Sequence, residues 1–275
     1  MAASMARWRP WVAGLCMGGA LIVGVAGVSG CSAQPGASAS GQEFLTPSDE
    51  PEARRRARIR LELAANYFES GQTTVALDEI KQAIATDPGY ADAYNLRGLI
   101  YMRLNEYAQA EGSFRRALGV RSNDPSVLHN YAWLLCLQQK YAEADQQFAR
   151  VLSQPAYPAK GKTLMAQGLC QARAGQAAQA EQTLVRAYEL DAGNPIVGYN
   201  LAHMLLQRGE AAKAQFYIRR LNNSEMANSE SLWLGIKVER ALGDRVASEQ
   251  LASQLHKRFP DSREQSLHER GIFNE

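Results

Sequence analysis

The sequence has few aromatic residues and almost no net charge. Aromatic side chains make up 8% of the 275 residues, and 30 lysines and arginines stand against 28 aspartates and glutamates. This balance gives no sign of a basic surface for nucleic acid, and it argues against general electrostatic steering of a charged partner. Small apolar residues, above all alanine, are plentiful instead, and they favour helices that pack closely together.

Sequence motifs of enzymes are also missing. The chain has no glycine-rich phosphate-binding loop that ends in Gly-Lys and no Gly-x-Ser-x-Gly nucleophile elbow. Its four histidines, His129, His203, His256 and His268, do not have the spacing of metal ligands. We therefore expect no catalytic residues, no metal and no cofactor. The alternative is an envelope enzyme whose catalytic residues follow no familiar motif.

The first 30 residues have the three zones of a secretory signal. Arg7 and Arg9 precede an apolar stretch from Trp11 to Val28, and small residues follow it. This order is typical of an exported protein. The alternative is a permanent membrane anchor, because the apolar stretch is close to the length that spans a bilayer. Removal of residues 1–30 lowers the 30 basic residues by two, to 28, and leaves the 28 acidic residues unchanged.

The sequence Val28-Ser29-Gly30-Cys31 resembles the lipobox of bacterial lipoproteins. The resemblance implies cleavage before Cys31 and acylation of both its thiol and its new amino group. Several acyl chains anchor a protein stably, whereas one chain gives only marginal binding. Ser32, in place of an aspartate, implies an outer-membrane location with the body facing the periplasm. Residues 31–56 are then the lipidated cysteine and a flexible linker, which is rich in small and polar residues.

One pattern of residues recurs six times further along the chain. It consists of a glycine or polar residue, a small residue five positions later, and a large apolar residue four positions after that. A second apolar residue, usually small, follows three positions later. The copies are Gly71/Ala76/Ile80/Ala83, Asn105/Ala110/Phe114/Ala117, Gln139/Ala144/Phe148/Val151, Gly175/Ala180/Leu184/Ala187, Gly209/Ala214/Ile218/Leu221 and, more weakly, Gly243/Ser248/Ala252/Leu255. Successive copies lie 34 residues apart, except for a step of 36 around Pro155 and Pro158. A fixed period of this length indicates a repeat protein.

The period and the small and large residues resemble the tetratricopeptide repeat, a pair of antiparallel helices. The resemblance implies an all-α fold, namely a right-handed superhelical solenoid of about six repeats over residues 57–262, with a tail at 263–275. We expect the repeats to start near Ala57, Ala91, Pro125, Gly161, Pro195 and Ser229. Pro125 and Pro195 depart from the pattern, because prolines usually close such repeats, and Arg97 stands where leucine is usual.

The spacing of the pattern has a physical cause. Small residues at one position of each first helix, and at another of each second helix, let the two helices of a hairpin approach closely. The large residue of each copy then fills the gap to the neighbouring hairpin. Because a single hairpin cannot bury its apolar face alone, stacking supplies the core.

The resemblance places the binding face on the concave side, which is lined mainly by the first helices. The residues at its binding positions are Leu61, Ala65, Phe68, Asn95, Leu99, Met102, His129, Trp133, Cys136, Met165, Leu169, Tyr199, His203 and Leu206, with Trp233 and Lys237 in the sixth repeat. This set is strongly apolar, so we expect an apolar partner segment in preference to an acidic peptide tail. The alternative is that residues 40–56 or the C-terminal tail fill the groove. Trp133 is the first candidate for a main contact, because tryptophan is enriched at binding hot spots.

Two cysteines remain once Cys16 leaves with the signal and Cys31 is acylated. Cys136 and Cys170 fall on the predicted first helices of adjacent repeats. An exported protein forms disulfides readily, but a free cysteine also packs well as a small apolar side chain. The sequence leaves both possibilities open.

The lipobox, the linker, the six repeats and the closing sequence Lys257-Arg-Phe-Pro260 together resemble the type IV pilus biogenesis lipoproteins of the PilF and PilW family. The segment from His129 to Cys136 is similar to that family too. The resemblance implies a monomeric, non-enzymatic outer-membrane lipoprotein that binds the pilus secretin subunit and promotes its targeting and multimer assembly, in support of pilus biogenesis and twitching motility. The alternative is a lipoprotein scaffold for cell-wall hydrolases or other envelope assembly factors.

Overall fold

The computed structural model describes residues 50–273, where the backbone is helical apart from the connecting turns. The predicted signal peptide, Cys31 and the linker up to residue 49 lie outside the described residues. The helices are α1 (Glu52–Glu69), α2 (Thr73–Thr86), α3 (Ala91–Arg103), α4 (Tyr107–Val120), α5 (Pro125–Leu137), α6 (Tyr141–Leu152), α7 (Lys160–Arg173), α8 (Ala177–Leu190), α9 (Pro195–Gln207), α10 (Ala211–Asn222), α11 (Ser229–Ala241), α12 (Arg245–Arg258) and α13 (Arg263–Glu269). None of these helices is both long and apolar enough to cross a membrane.

The helices pack as six consecutive hairpins followed by α13. The two helices of each hairpin lie side by side, from α1 with α2 to α11 with α12, and each second helix also contacts the next first helix. Consecutive first helices touch as well, α1 with α3, α3 with α5, α5 with α7 and α9 with α11. The first helices therefore form the inner layer of the stack.

Helices begin at or near most of the predicted repeat starts. Helices α3, α5, α9 and α11 begin at the residues named above, and α7 begins one residue earlier. The first helix begins at Glu52, five residues before the predicted start, because residues 52–56 are good helix formers and Pro51 stops the helix only there. The predicted tail contains a further helix, α13.

The two prolines that depart from the repeat pattern lie at the start of helices. Pro125 and Pro195 each occupy the first turn of their helix, where a missing N–H costs nothing. The preceding residue caps the helix: the Asp124 carboxylate accepts hydrogen bonds from the backbone N–H groups of the first turn, at 2.9 and 3.0 Å, and the Asn194 side chain accepts equivalent bonds at 3.1 and 3.3 Å. A proline at this point therefore strengthens the repeat boundary.

Arg97 replaces the usual leucine without loss of packing. Its guanidinium lies over the ring of Tyr94, 5.0 Å from the ring centroid, and its Nε donates a hydrogen bond of 2.9 Å to the Ser113 hydroxyl. The long side chain thus covers apolar surface and finds a buried polar partner on the second helix of the same hairpin.

The first residue of the recurring pattern makes the turn between the two helices of a hairpin. All six copies have a left-handed backbone, with φ between +60° and +78°: Gly71, Asn105, Gln139, Gly175, Gly209 and Gly243. Glycine adopts this conformation without steric cost, and asparagine tolerates it better than most other residues. The turn geometry therefore explains why the pattern begins with a glycine or a polar residue.

Close contact between a small and a large residue holds each hairpin together. The large residues Ile80, Phe114, Phe148, Leu184 and Ile218 are all fully buried. A Cβ placed on Gly98 would lie 2.5 Å from the ring of Phe114, and one on Gly168 would lie 2.7 Å from Leu184. The second helix thus occupies the space that a side chain on the first helix would need.

A disulfide links the third hairpin to the fourth. It joins Cys136 on α5 to Cys170 on α7, whose Cα atoms are 5.8 Å apart, and both residues are buried. The structure therefore decides between the two possibilities that the sequence left open.

We expect Gly98→Ala to lower the free energy of unfolding by about 1–3 kcal/mol, because the new methyl group overlaps the Phe114 ring. The matched control is Gly112→Ala on α4, where an added Cβ meets nothing within 4 Å. Alanine there should leave stability unchanged or raise it by up to about 1 kcal/mol, through helix propensity. Urea unfolding followed by circular dichroism measures both. Equal effects of the two substitutions would contradict the close-contact account.

Candidate protein-binding groove

Twelve of the predicted groove residues lie half-buried on the first helices. They are Leu61, Ala65, Phe68, Asn95, Leu99, Met102, Trp133, Met165, Leu169, Tyr199, His203 and Leu206. Several of the apolar ones pack against the buried core while part of the side chain remains open to solvent. The inner layer of first helices thus presents a partly exposed apolar surface, which we call the groove. That it binds a partner stays a prediction.

His129 belongs to the core and not to the groove. Only 8% of the residue is exposed, and its Nδ1 lies 2.9 Å from the Thr163 hydroxyl oxygen. The Tyr157 hydroxyl, also 2.9 Å from that oxygen, extends this polar chain. Tyr157 comes from the connection that carries the two added residues, so the extra length supplies a partner that a regular repeat would lack. Burial, together with the nearby Lys162 charge, lowers the pKa of His129 from its ordinary 6.5 to about 4.

Cys136 is the second residue wrongly placed in the groove. It is 1% exposed, because its sulfur is bonded to Cys170 and its helix packs against the next first helix. The bond removes it from any role as an open contact for a partner.

The C-terminal tail covers the groove at the sixth repeat. Trp233 is buried beneath Phe273, whose ring stacks on the indole at a centroid distance of 5.0 Å, and His268 meets it edge-on. The left-handed Gly271, with φ of +67°, turns the chain after α13 so that Phe273 returns over the indole. Trp233 is therefore not available to a partner, and the alternative that the tail fills the groove is correct at this repeat.

Tyr199, His203 and Lys237 lie next to the repeat that the tail covers. Tyr199 and His203 stack with their rings nearly parallel, 6.0 Å apart. Burial, and then the charge of Lys237, lowers the pKa of His203. Burial likewise lowers the pKa of Lys237, which is half-buried with its ammonium 5.6 Å from the centre of the Trp233 ring. A cleft of about 200 Å³ lies between these residues and α13.

Two arginines beside the groove were not predicted from the sequence. Arg103, the last residue of α3, lies 4.0 Å from the ring centroid of Phe68 on α1. Arg173, the last residue of α7, lies 5.0 Å from the ring centroid of Trp133 on α5. Both lie on the same first helices as the expected binding residues, at the thirteenth position of their predicted repeats, and this position was the signal available in the sequence. The prediction missed these arginines because it favoured apolar side chains.

The groove thus offers aliphatic, aromatic and guanidinium groups and suits non-covalent recognition of a polypeptide segment. Within residues 50–273 no three histidines, cysteines or carboxylates come together as a metal site.

Comparison with known proteins agrees with the repeat architecture. The tetratricopeptide repeat pattern matches residues 61–126 and 171–233. The type IV pilus assembly protein PilF of Pseudomonas aeruginosa is 27% identical to this chain over 204 residues, which are 74% of the chain and 81% of PilF. This chain contains tetratricopeptide repeats and is homologous to PilF.

Solved structures of related repeat proteins have the same arrangement of hairpins. The crystal structure of PilW, described as a widely conserved type IV pilus biogenesis factor, superposes with a TM-score of 0.70 at 29% identity, over 77% of this repeat protein and 97% of PilW. The structure of Pseudomonas aeruginosa PilF also gives a TM-score of 0.70, at 25% identity, over 80% of this chain and 100% of that one. The expected all-α solenoid of tetratricopeptide repeats is thereby confirmed.

We expect the neutral His129 ring to make this repeat protein less stable in acid. Its pKa is about 4 in the folded protein and 6.5 in the unfolded one, so the stabilisation is complete above pH 6.5 and is lost as the pH falls from 6.5 towards 4. The loss amounts to roughly 3 kcal/mol at most. His129→Gln keeps a hydrogen-bonding side chain but does not titrate, so its stability should fall less over this range.

Urea unfolding at pH 7 and at pH 4.5 measures the difference. Gln254→Ala, at an exposed position without a titratable group, is the control and should keep the pH dependence of the parent. Identical pH dependence of the parent and His129→Gln would show that the ring is not held neutral.

Proposed function

We propose that this protein is a pilotin, an outer-membrane lipoprotein that binds the type IV pilus secretin subunit and promotes its targeting and multimer assembly. Homology to PilF and the structural match to PilW support a role in type IV pilus biogenesis. The observation that carries the binding role is the row of half-buried apolar residues along the first helices, from Phe68 to Leu206, which residues 50–273 leave partly exposed in repeats one to five.

The proposed mechanism is physical and involves no reaction. Apolar surface that is left partly open on an inner layer is a site for a partner segment of matching chemistry. A secretin subunit that has not yet joined its ring would expose such a segment. The groove would cover this segment during transport, and the acyl chains on Cys31 would carry the complex to the outer membrane.

Trp133 is expected to be the main contact of the groove. It is large, partly exposed and central in the stack, and removal of a hot-spot tryptophan costs at least about 2 kcal/mol of binding. We expect Trp133→Ala in the full chain to weaken capture of the secretin subunit about 30-fold or more. In a strain that carries only this variant, heat-stable secretin multimers and twitching should be strongly reduced.

Phe216→Ala provides the matched control. Phe216 is an aromatic residue that is 61% exposed on a second helix, away from the groove, so its loss should leave capture unchanged. The melting temperature of each variant must stay close to that of the parent. Unfolding of Trp133→Ala would show that the residue serves the core. Normal multimers in a strain without the protein would refute the pilotin role and leave the scaffold for cell-wall hydrolases as the alternative.

Cys31 is expected to be the lipid anchor. Radiolabelled palmitate fed to growing cells should enter the parent protein, and the protein should sediment with outer membranes. Cys31→Ser lacks the acceptor thiol and should take up no label. The control is Phe216→Ala at an exposed position, which keeps both Cys31 and the disulfide and should take up label like the parent. Uptake of label by Cys31→Ser would place the lipid elsewhere.

A further inference from the structure

Arg173 differs from its counterpart Arg103 in one important respect. Nη1 of Arg103 donates a hydrogen bond of 2.6 Å to the carbonyl oxygen of Phe68, which ties it to the backbone of the preceding repeat. Arg173 forms no hydrogen bond and no ion pair with any residue between 50 and 273, and its guanidinium lies over the face of the Trp133 ring. Its N–H donors are thus unpaired within this part of the chain.

The orientation of the guanidinium limits the chemistry of that partner. A guanidinium that rests over an aromatic ring keeps its planar set of N–H donors free to pair with a carboxylate. The tryptophan beneath it is partly exposed and offers an apolar surface to the same partner. One site therefore combines an aromatic platform with a fixed positive charge, in a groove that is otherwise mainly apolar.

The C-terminal tail shows how such a platform is occupied. Phe273 stacks on Trp233, and the guanidinium of Arg240 covers the Phe273 ring at 3.8 Å from its centroid. The chain itself thus covers one tryptophan of the first helices, Trp233, with an aromatic side chain that an arginine also contacts. Trp133 and Arg173 also pair a tryptophan with an arginine, but here the guanidinium lies over the tryptophan ring itself, and no segment of the described part of the chain covers the pair.

We propose that Trp133 and Arg173 together recognise a segment of the partner in which an aromatic side chain lies next to an aspartate or glutamate. The aromatic ring packs against the exposed part of Trp133 beside the guanidinium, and the carboxylate accepts hydrogen bonds from the guanidinium of Arg173. This assignment rests on the proposed function, because it names the chemistry of the secretin segment that the groove binds.

The test is secretin capture by the full-length lipoprotein in detergent, titrated at low and at high salt. Arg173→Gln should weaken capture about tenfold at low salt and remove most of its salt dependence, because a charge-assisted hydrogen bond is lost. Arg173→Lys should restore only part of the affinity, since lysine keeps the charge but not the planar donors. Arg186→Gln, at an exposed arginine on α8, should bind like the parent.

The outcomes separate this inference from the proposed function. If the parent captures secretin and Arg173→Gln captures it equally well at both salt concentrations, the carboxylate assignment is wrong and the pilotin role stands. If the parent captures no secretin, both fail. Arg173→Glu supplies a second test: its defect should be repaired by a secretin variant in which the matching acidic residue is replaced by lysine, and repair by no acidic-to-lysine variant would overturn the assignment.

Discussion

The contact between a small residue on one helix and a large one on its partner determines the rest of this structure. Where Gly98 faces Phe114, the second helix lies so close that even a methyl group has no room. The same contact, repeated hairpin after hairpin, sets the distance between the layers. The first helices are thereby brought together as an inner surface, and the groove exists because this surface is only partly used for packing.

Much of this architecture could be predicted from the sequence, because its causes are local and repeat. The left-handed turn favours glycine or a polar residue, and the close approach of the two helices favours alanine or glycine. These residues therefore recur at a fixed interval in the sequence. Even the two prolines that departed from the pattern have a local reason, since Asp124 and Asn194 cap the helices that they begin. The early start of α1 at Glu52 was missed because helix propensity alone decided it, outside the pattern.

The groove was predicted less well, because exposure depends on neighbours that are distant in sequence. His129 occupies a binding position but is buried through Thr163 and Tyr157, and Trp233 is buried beneath a residue 40 positions further on. Arg173 was missed for the opposite reason. It is an exposed charged residue, but its contact with the Trp133 ring places it beside the groove. The position of a residue within its repeat predicts which helix face carries its side chain. Whether that side chain is exposed depends on the segments that pack over it.

The disulfide between α5 and α7 has a consequence for how the stack opens. In a linear array the terminal hairpins have one neighbour each, so thermal fraying begins at the two ends and moves inward. The covalent bond spans the boundary between the third and fourth hairpins and blocks this unzipping from either side. A load applied to one end would peel away the outer hairpins first, while the central pair, with Trp133 and Arg173, stayed assembled and able to hold its partner.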